Sequence, residues 1–292
     1  MNGHSYSLSN METVYYVDAR YPHATVDVNG NWYAEDAPRY EPIIEPRDNH
    51  QTAIVFSSDQ RYFPGLMPAL LSVQTHHPKV PLVVIDEGLT PQQVRYLQQY
   101  AEVFPSSNSL RDLPMWSCFD ISFLNYDRVV YLDSDIIVLR EIPALLETDA
   151  EFAAVRNLDW KIGENFTDSH ILERYKVNPQ APAFNSGVFS VDNRIWGNGK
   201  LSQAALKIYA EVGWSFVYAD QSALQVIMNS DGHHVTFLED EYNAIAECWD
   251  WEQHEDVVRI VHYAGDEIKP WNPLCKYPKL DQFFSYSKIR RS

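Results

Sequence analysis

The sequence predicts an α/β fold in which helices flank a mostly parallel central sheet, and an N-terminal extension that contains a β-hairpin. Three observations support this prediction. From residue 51 onward, short runs rich in β-branched residues alternate with segments of helical periodicity, which is typical of a parallel sheet with right-handed crossovers. One apolar run, Arg128–Leu132, ends in two closely spaced aspartates. Residues 1–50 follow a different pattern.

The N-terminal extension, residues 1–50, is rich in tyrosine and tryptophan. Asn29-Gly30 lies between residues 25–28 and 31–33, and this dipeptide favours a tight hairpin turn. We therefore divide the chain into an extension, 1–50, and a main domain, 51–292. The aromatic side chains of the extension either cover the main domain or form part of an acceptor or partner site. An oligomerisation element, and with it a homodimer, is a further alternative.

In the main domain, hydrophobic patterning predicts eight strands and four helices. The predicted strands cover residues 52–57, 81–85, 128–132, 136–139, 152–156, 188–191, 234–238 and 257–263. The predicted helices cover residues 64–75, 90–103, 201–212 and 220–228. The second helix has a clear start, because Thr90 serves as N-cap, Pro91 occupies the first turn and Gln93 completes a capping box.

Composition excludes several classes of protein. The formal net charge of −17 argues against nucleic acid and an anionic membrane surface as partners. The three cysteines lack C-x-x-C spacing, so a disulfide framework or a zinc site is not expected and a reducing compartment fits best. We see no apolar run of membrane-spanning length and no signal peptide in the sequence. We therefore expect a cytoplasmic protein without a membrane span.

Asp133 and Asp135 are the most informative pair in the sequence. They follow the apolar run Arg128–Leu132, so they fall at the carboxyl end of a strand, where ligands of open α/β sheets bind. Two neighbouring carboxylates do not both stay ionised cheaply without a cation. A divalent ion would neutralise them and bring a diphosphate with it. The pair alone is also compatible with a solvated turn or two helix caps.

A second segment, residues 261–271, carries His262, Gly265 and Lys269 after another apolar run. A neutral imidazole nitrogen is a suitable third ligand for Mn²⁺ beside two carboxylates. Gly265 permits a tight turn or a close approach to a ligand, and Lys269 provides a point charge for phosphates. A histidine in this position can also be an ordinary core residue.

Four further segments place polar groups near strand ends. Asn185, in Phe-Asn-Ser-Gly-Val, can donate to and accept from sugar hydroxyls, although an ordinary turn has the same residues. Asp220 is either functional or a helix N-cap, and Asp159 follows a predicted strand. Asp59 and Tyr62 follow the first strand. There Asp59 can accept from a uracil N–H and Tyr62 can stack on the base, or the two can be a loop aspartate and a core tyrosine.

Together these segments resemble glycosyltransferase family 8, the retaining family that includes glycogenin and bacterial galactosyltransferases of lipooligosaccharide synthesis. The resemblance covers residues 51–271 and rests on four motifs in order: Asp-x-Asp, Phe-Asn-Ser-Gly-Val, Asp-Gln and His-Tyr-x-Gly-x-x-Lys-Pro-Trp. It implies that residues 51–292 form a catalytic domain of the GT-A (nucleotide-diphospho-sugar transferase) fold. It also implies a metal-dependent enzyme that transfers a hexose from a UDP-sugar, with Mn²⁺ or Mg²⁺, to an acceptor hydroxyl.

The resemblance assigns roles position by position. The implied metal ligands are Asp133, Asp135 and His262. The implied donor contacts are Asp59, Tyr62, Ser134, Asn185, Gly265 and Lys269. The implied catalytic residues are Asp159, Asp220 and Gln221. One feature departs from the family: a basic residue that many members carry shortly before the first metal aspartate is missing from residues 115–118, and Arg111 is a candidate substitute.

The acceptor is a sugar, a small molecule or a protein, and self-glycosylation of a tyrosine in the extension is one form of the last alternative. Two other functions compete with glycosyl transfer. A metal-dependent nucleotidyltransferase would need a glycine-rich phosphate loop, and residues 57–61 contain no glycine. A catalytically degenerate carbohydrate-binding or scaffold protein would not need the complete set of metal ligands and Lys269.

Overall fold

The structure is a computed structural model, and it describes most of the main domain and two short strands of the extension. The described residues are 24–26, 32–34, 52–106, 116–166, 170–212, 218–230, 232–265, 269–272, 275–276 and 279–286.

The strands and helices are labelled in chain order. The strands are β1 Ala24–Val26, β2 Trp32–Ala34, β3 Thr52–Ser58, β4 Leu82–Asp86, β5 Glu102–Pro105, β6 Arg128–Leu132, β7 Ile136–Val138, β8 Phe152–Lys161, β9 Pro182–Asp192, β10 Val235–Leu238, β11 Ala244–Ile245 and β12 Ile260–His262. The α-helices are α1 Phe63–His76, α2 Pro91–Leu97, α3 Pro143–Leu146, α4 His170–Arg174, α5 Asn193–Trp196, α6 Lys200–Val212, α7 Ala219–Asn229, α8 Trp251–His254 and α9 Leu280–Tyr286. Short 3₁₀ helices cover Trp116–Phe123, Ile162–Asn165, Asp240–Asn243 and Glu255–Val257.

The central sheet has seven strands in the order β10-β8-β9-β6-β3-β4-β5. Strand β9 runs antiparallel to β6 and β8, and the other neighbours are parallel. The sheet is therefore mostly parallel, as predicted. Leu132 lies opposite Val188, so the residues just before Val188 meet the carboxyl end of β6 at the same edge of the sheet.

A small sheet of β11, β12 and β7 supports this edge. Strand β12 runs antiparallel to β7, and His262 lies opposite Ile136. Because β7 begins one residue after Asp135, this register fixes the end of β12 beside the two aspartates.

Both faces of the central sheet are buried. In β3, Ala53 and Val55 pack into the cluster that contains residues of α6 and α7, whereas Ile54 and Phe56 pack into the cluster that contains Leu66 of α1. Strands covered on both faces have nearly continuous apolar runs. This burial explains why the central strands were recognisable in the sequence.

Some predicted boundaries were wrong. The predicted helix 90–103 ends at Leu97, and residues 102–105 form β5 instead. Val103 and Phe104 pair with Val84 and Ile85 of β4, so a strand pairing replaces the last helical turn. Strands β8 and β9 are longer than predicted, which places Asp159 and Asn185 inside strands rather than in turns.

The predicted hairpin strands are present, since β1 and β2 pair antiparallel with Thr25 opposite Tyr33. The Asn29-Gly30 turn, most of the extension and Arg111 lie outside the described residues. The division of the chain at residue 50 thus stays a prediction. Among the helices in the described part, none combines the length and the apolar character needed to cross a membrane.

Candidate metal and nucleotide-sugar site

Asp133, Asp135 and His262 come together at the carboxyl end of β6. The Nε2 atom of His262 lies 3.6 Å from Oδ2 of Asp133 and 3.3 Å from Oδ1 of Asp135. One ligand atom from each residue lies within 4.8 Å of the other two. The backbone N–H of Tyr263 donates to the carbonyl of Asp135 at 3.0 Å, which continues the β7–β12 pairing beyond His262. Two carboxylates and an imidazole in this arrangement can hold a divalent metal ion.

The charges of Asp135 and His262 shift each other's pKa. Burial alone would raise the pKa of Asp135, but His262 and Lys269 outweigh it and lower the pKa to about 2. Burial alone would lower the pKa of His262, but the carboxylates of Asp135 and Asp133 raise it to about 9. In the metal-free protein a proton on His262 therefore compensates the carboxylates. Binding of a metal ion would release that proton.

Lys269 places a second positive charge at the site. Its Nζ atom donates to Oδ2 of Asp135 at 2.6 Å and also to the carbonyl of Gly265. It lies 5.6 Å from the centre of the Tyr62 ring. Gly265 has a φ of 103°, a left-handed conformation that favours glycine. Lys269 therefore lies at the strand end that carries Asp135.

Tyr62 and Asp59 line the start of α1. Asp59 accepts hydrogen bonds from the backbone N–H groups of Arg61 at 2.8 Å and Tyr62 at 3.1 Å, and it forms an ion pair with the Arg61 guanidinium. The Tyr62 ring packs edge-on against Trp271, with 5.7 Å between centroids. Asp59 thus organises the turn before α1, and Tyr62 connects this turn to the segment that carries Lys269.

Two glycines that we did not assign from sequence are required by space. A Cβ atom on Gly187 would lie 2.4 Å from Cε1 of His262 and 2.5 Å from Oδ2 of Asp133. A Cβ atom on Gly65 would lie 2.6 Å from the carbonyl oxygen of Ser134 and 2.2 Å from the Trp271 ring. Ser134 is buried between the two aspartates. Glycine inside an apolar strand signals a close approach, so Gly187 had a recognisable signal.

Asn185 and Gln221 are neighbours. The side-chain oxygen of Gln221 accepts from the backbone N–H of Ser186 at 3.1 Å and from Nδ2 of Asn185 at 3.4 Å. Its Nε2 donates to Oδ1 of Asn165 at 2.8 Å. Both ends of the Gln221 amide are therefore engaged by the protein. The geometry shows an oriented side chain, and its catalytic role stays a prediction.

Asp220 lies in the first turn of α7, where Tyr218 is the N-cap, so the N-cap alternative for Asp220 was wrong. Burial, followed by the charge of Asp133, raises the pKa of Asp220 to about 7 against the opposing effect of a Ser186 hydrogen bond. Asp220 therefore shares the electrostatic environment of the metal ligands. Asp159, by contrast, is exposed in the irregular part of β8, and the structure does not bring it against them.

Glu87 is a buried carboxyl group near the candidate site that the sequence analysis did not identify. It directly follows β4, and it accepts a hydrogen bond from Oγ of Ser117. Burial, followed by the charge of Asp59, raises its pKa to about 8, with further contributions from Asp133 and Asp220. Its sequence context, Asp86-Glu87-Gly88, looks like a solvated turn. Ser117 belongs to the stretch that lacks the family's basic residue.

Comparison with known proteins points to one family. A family model described as "Glycosyl transferase family 8" matches residues 117–275, more than half of the chain. Lipopolysaccharide 1,2-glucosyltransferase of Escherichia coli K12 is 28% identical over 182 residues, which cover 56% of this chain and 50% of that protein. Glycosyltransferase GlyF of Streptococcus pneumoniae serotype 4 is 25% identical over 243 residues, with coverage of 75% and 57%. The chain thus spans about half the length of these curated relatives.

Solved structures share the fold. The galactosyltransferase LgtC in complex with donor and acceptor sugar analogues superposes with a TM-score of 0.64 at 18% identity, covering 80% of this chain and 95% of that chain. The apo form of GlyE from Streptococcus pneumoniae TIGR4 superposes with a TM-score of 0.61 at 21% identity, covering 83% and 61%. These likenesses show the GT-A fold, as the sequence predicted.

Proposed function

Because this chain belongs to glycosyltransferase family 8, we propose that it is a retaining glycosyltransferase that moves a hexose from a UDP-sugar to an acceptor hydroxyl with the assistance of Mn²⁺. One observation carries the proposal. Asp133, Asp135 and His262 converge from two sheets, and the Lys269 amine contacts the Asp135 carboxylate. This arrangement fits the metal and the diphosphate of one donor molecule.

Different residues act on the two sides of the bond between the sugar and the diphosphate. Negative charge grows on the departing diphosphate, and Lys269 is placed to stabilise it as a fixed positive charge. A bound Mn²⁺ would neutralise further charge there. Asp220, at the start of α7, is placed to stabilise the cation-like sugar carbon. Gln221 is held at both ends, which supports an orienting role and a same-face attack by the acceptor rather than a covalent intermediate on this amide.

The donor contacts extend along the strand ends. We propose that Asp59 and Tyr62, at the start of α1, bind the uracil base, and that Ser134 and Gly265 lie along the diphosphate. Asn185 then faces the hexose. Asp159 has the weakest support for a contact with the donor sugar, because its side chain is exposed in the irregular part of β8.

The test measures UDP release and glycoside formation from UDP-glucose, UDP-galactose and their N-acetyl forms, with Mn²⁺ and with EDTA. We expect Mn²⁺-dependent UDP release with one donor, and NMR of the isolated glycoside should show the donor's anomeric configuration. Lys269→Met should lower kcat by about a hundredfold or more, which corresponds to roughly 3 kcal/mol.

Lys279→Met is the matched control. Lys279 also pairs with a carboxylate, that of Glu255, and lies over an aromatic ring, that of Trp251. Its amine therefore pairs away from the proposed metal ligands. Its loss should leave kcat unchanged. Release of pyrophosphate would indicate a nucleotidyltransferase. Absence of turnover with every donor would indicate a carbohydrate-binding or scaffold protein.

A further inference from the structure

Four amide side chains connect His262 to a buried 3₁₀ turn on the far side of the site. His262 Nδ1 lies 2.9 Å from Oδ1 of Asn243, and Nδ2 of Asn243 donates to Oδ1 of Asn185 at 3.0 Å. Asn185 then contacts Gln221, and Gln221 contacts Asn165. Asn243 and Asn165 each end a 3₁₀ helix. We call these four amides and the imidazole the amide chain.

Backbone groups fix the orientation of three side-chain amides in the amide chain. The Nδ2 atom of Asn165 faces the carbonyls of Lys161 and Ile162 at 3.3 and 3.4 Å, so its Oδ1 is left to accept from Gln221. Ser186 N–H donates to the Gln221 oxygen, and Gly187 N–H donates to the Asn185 oxygen at 3.0 Å. Since a backbone N–H only donates and a carbonyl only accepts, flipping any of these amides would oppose like groups.

The orientation of the Asn185 amide determines which ring nitrogen of His262 carries a hydrogen toward Asn243. The Asn185 oxygen requires the Asn243 NH₂ group, so the Asn243 oxygen faces His262. That oxygen can only accept, so Nδ1 of His262 carries a hydrogen, and Nε2 is the nitrogen presented to Asp133 and Asp135. A hydrogen bond on the second ring nitrogen fixes the tautomer and ring orientation of metal-binding histidines.

We propose that Asn243 and Asn165 are positioning residues: Asn243 holds His262 with Nε2 toward the two aspartates, and Asn165 holds Gln221, so that the metal ligand and the amides facing the donor sugar form one unit. The exposed fractions are 4% for Asn243, 0% for Asn165 and 6% for Gln221, so solvent does not replace these hydrogen bonds easily. This inference rests on the proposed function for the identity of the ion and the sugar.

The test at Asn243 measures Mn²⁺ affinity by EPR of free Mn²⁺. Asn243→Leu keeps the volume but removes the acceptor, and it should weaken Mn²⁺ binding about 10- to 100-fold, as loss of such partners usually does. Asn243→Asp keeps an acceptor for Nδ1–H but loses the donor to Asn185. This variant should bind Mn²⁺ at least as tightly as the wild-type protein, while its kcat falls.

The test at Asn165 uses Asn193→Ala as a matched control. The Nδ2 atom of Asn193 also donates to two backbone carbonyls, those of Ile121 and Leu124, and Asn193 is also buried. Asn165→Ala and Asn193→Ala should lower the unfolding temperature by similar amounts. Only Asn165→Ala should also lower kcat for hexose transfer, because Asn165, unlike Asn193, contacts Gln221.

A third measurement does not depend on metal or sugar. In ¹⁵N-histidine NMR spectra of the metal-free protein, the Nδ1–H of His262 should give a slowly exchanging signal that persists in Asn243→Asp and is lost in Asn243→Leu. If Asn243→Leu does not fold, Asn243→Ala takes its place. The proposal is overturned if a folded Asn243 variant without an acceptor binds Mn²⁺ like the wild type, if wild-type protein binds no Mn²⁺, or if Asn165→Ala and Asn193→Ala change kcat equally.

These outcomes separate the inference from the proposed function. The wild-type protein could bind Mn²⁺ without transferring any hexose, while Asn243→Leu binds Mn²⁺ more weakly. That result would exclude the transfer reaction but keep the positioning of His262 by Asn243. Normal transfer by both Asn243→Leu and Asn165→Ala would keep the reaction and remove the positioning role.

Discussion

At the scale of single residues, a glycine without a side chain is as important for the candidate metal site as the three ligands. Gly187 leaves the space in which Asp133 and His262 approach each other, since any Cβ would fall within 2.5 Å of both side chains. The His262 side chain is 2% exposed, so it has little space in which to move. The close approach of Asp133 and His262 in the candidate metal site therefore requires glycine in Phe-Asn-Ser-Gly-Val.

We predict that Gly187→Ala disables metal binding while the protein stays folded. The added methyl group must push Asp133 or His262 aside, which should weaken Mn²⁺ binding at least about 10-fold, as displaced metal surroundings typically do. Calorimetric titration with Mn²⁺ measures this loss. Gly232→Ala is the control. A Cβ at this position would meet nothing within 4 Å, but the backbone φ of 92° is strained for alanine. This variant should therefore be less stable and keep its Mn²⁺ affinity. Wild-type affinity in Gly187→Ala would contradict the close approach.

Glu87 gives a prediction about pH. Burial and the charge of Asp59 raise its pKa from 4.5 to about 8 in the folded protein. Between these pH values the folded state holds a proton that the unfolded state has lost, so this group makes stability fall as pH rises from about 4.5 to about 8. Glu87→Gln removes this dependence because glutamine does not ionise.

The unfolding temperature of metal-free Glu87→Gln relative to wild-type protein should therefore increase from pH 5 to pH 8. Differential scanning calorimetry in EDTA at several pH values measures this difference. Glu247→Gln, at an exposed carboxylate, is the control for the loss of one acidic group. A difference for Glu87→Gln that does not change with pH would show that the carboxyl group is not protonated in the fold.

At the scale of elements, the sequence determined local features better than those set by distant contacts. Strand β6 has the predicted bounds because it is buried on both faces and ends at polar aspartates. The predicted capping box is also present: Thr90 accepts from Gln93 N–H at 3.2 Å, and Gln93 accepts from Thr90 N–H at 2.8 Å. The predicted end of α2 was wrong because a short window of sequence does not show the pairing of Val103 with β4.

The same limit applies to the site. The aspartates, His262 and Lys269 carry recognisable motifs, so their proximity could be expected from strand ends alone. Asn243 and Asn165 lie in 3₁₀ turns without a motif, and Glu87 follows β4 in a sequence that looks like a surface turn. Their contacts depend on how β12, α7 and the Trp116–Phe123 turn pack in three dimensions, which no spacing in the sequence encodes.

The contact between α1 and β7 links an element to the metal site. Ser72 of α1 is fully buried; its Oγ accepts from the backbone N–H of Val138 at 2.9 Å and donates to the carbonyl of Ala69 at 2.6 Å. Since β7 pairs with β12, this bond also supports His262. Ser72→Ala should lower the free energy of unfolding by about 1–3 kcal/mol, because a buried N–H loses its partner, and it should weaken Mn²⁺ binding.

Ser122→Ala is the matched control for this change. Ser122 is fully buried, accepts from the backbone N–H of Ser202 at 3.3 Å and donates to the carbonyl of Phe119 at 2.9 Å. It supports α6 rather than β7. Urea unfolding should show losses of similar size for both variants, and EPR should show weaker Mn²⁺ binding only for Ser72→Ala. Equal Mn²⁺ affinity in the two variants would mean that α1 does not hold β7 for the site.

At the scale of the whole molecule, the candidate metal site joins two sheets. Asp133 and Asp135 follow the central strand β6, whereas His262 ends β12 of the small sheet. The formal net charge of −17 favours uptake of a divalent cation from solution and opposes approach of an anionic nucleotide. An ion held by ligands from both sheets would therefore connect the two sheets.

We predict that Mn²⁺ raises the unfolding temperature and that this increase depends on His262. A ligand that binds only the folded state stabilises it by about 2.7 kcal/mol at a concentration of 100 times its Kd, and a bound ion here would also connect β6 to β12. His262→Gln keeps a polar side chain beside Asn243 but lacks the imidazole nitrogen. Thermal unfolding with and without Mn²⁺ should show a large increase for wild-type protein and a small one for His262→Gln. Equal increases in the two proteins would place the stabilising ion elsewhere on this acidic surface and remove His262 from the metal site.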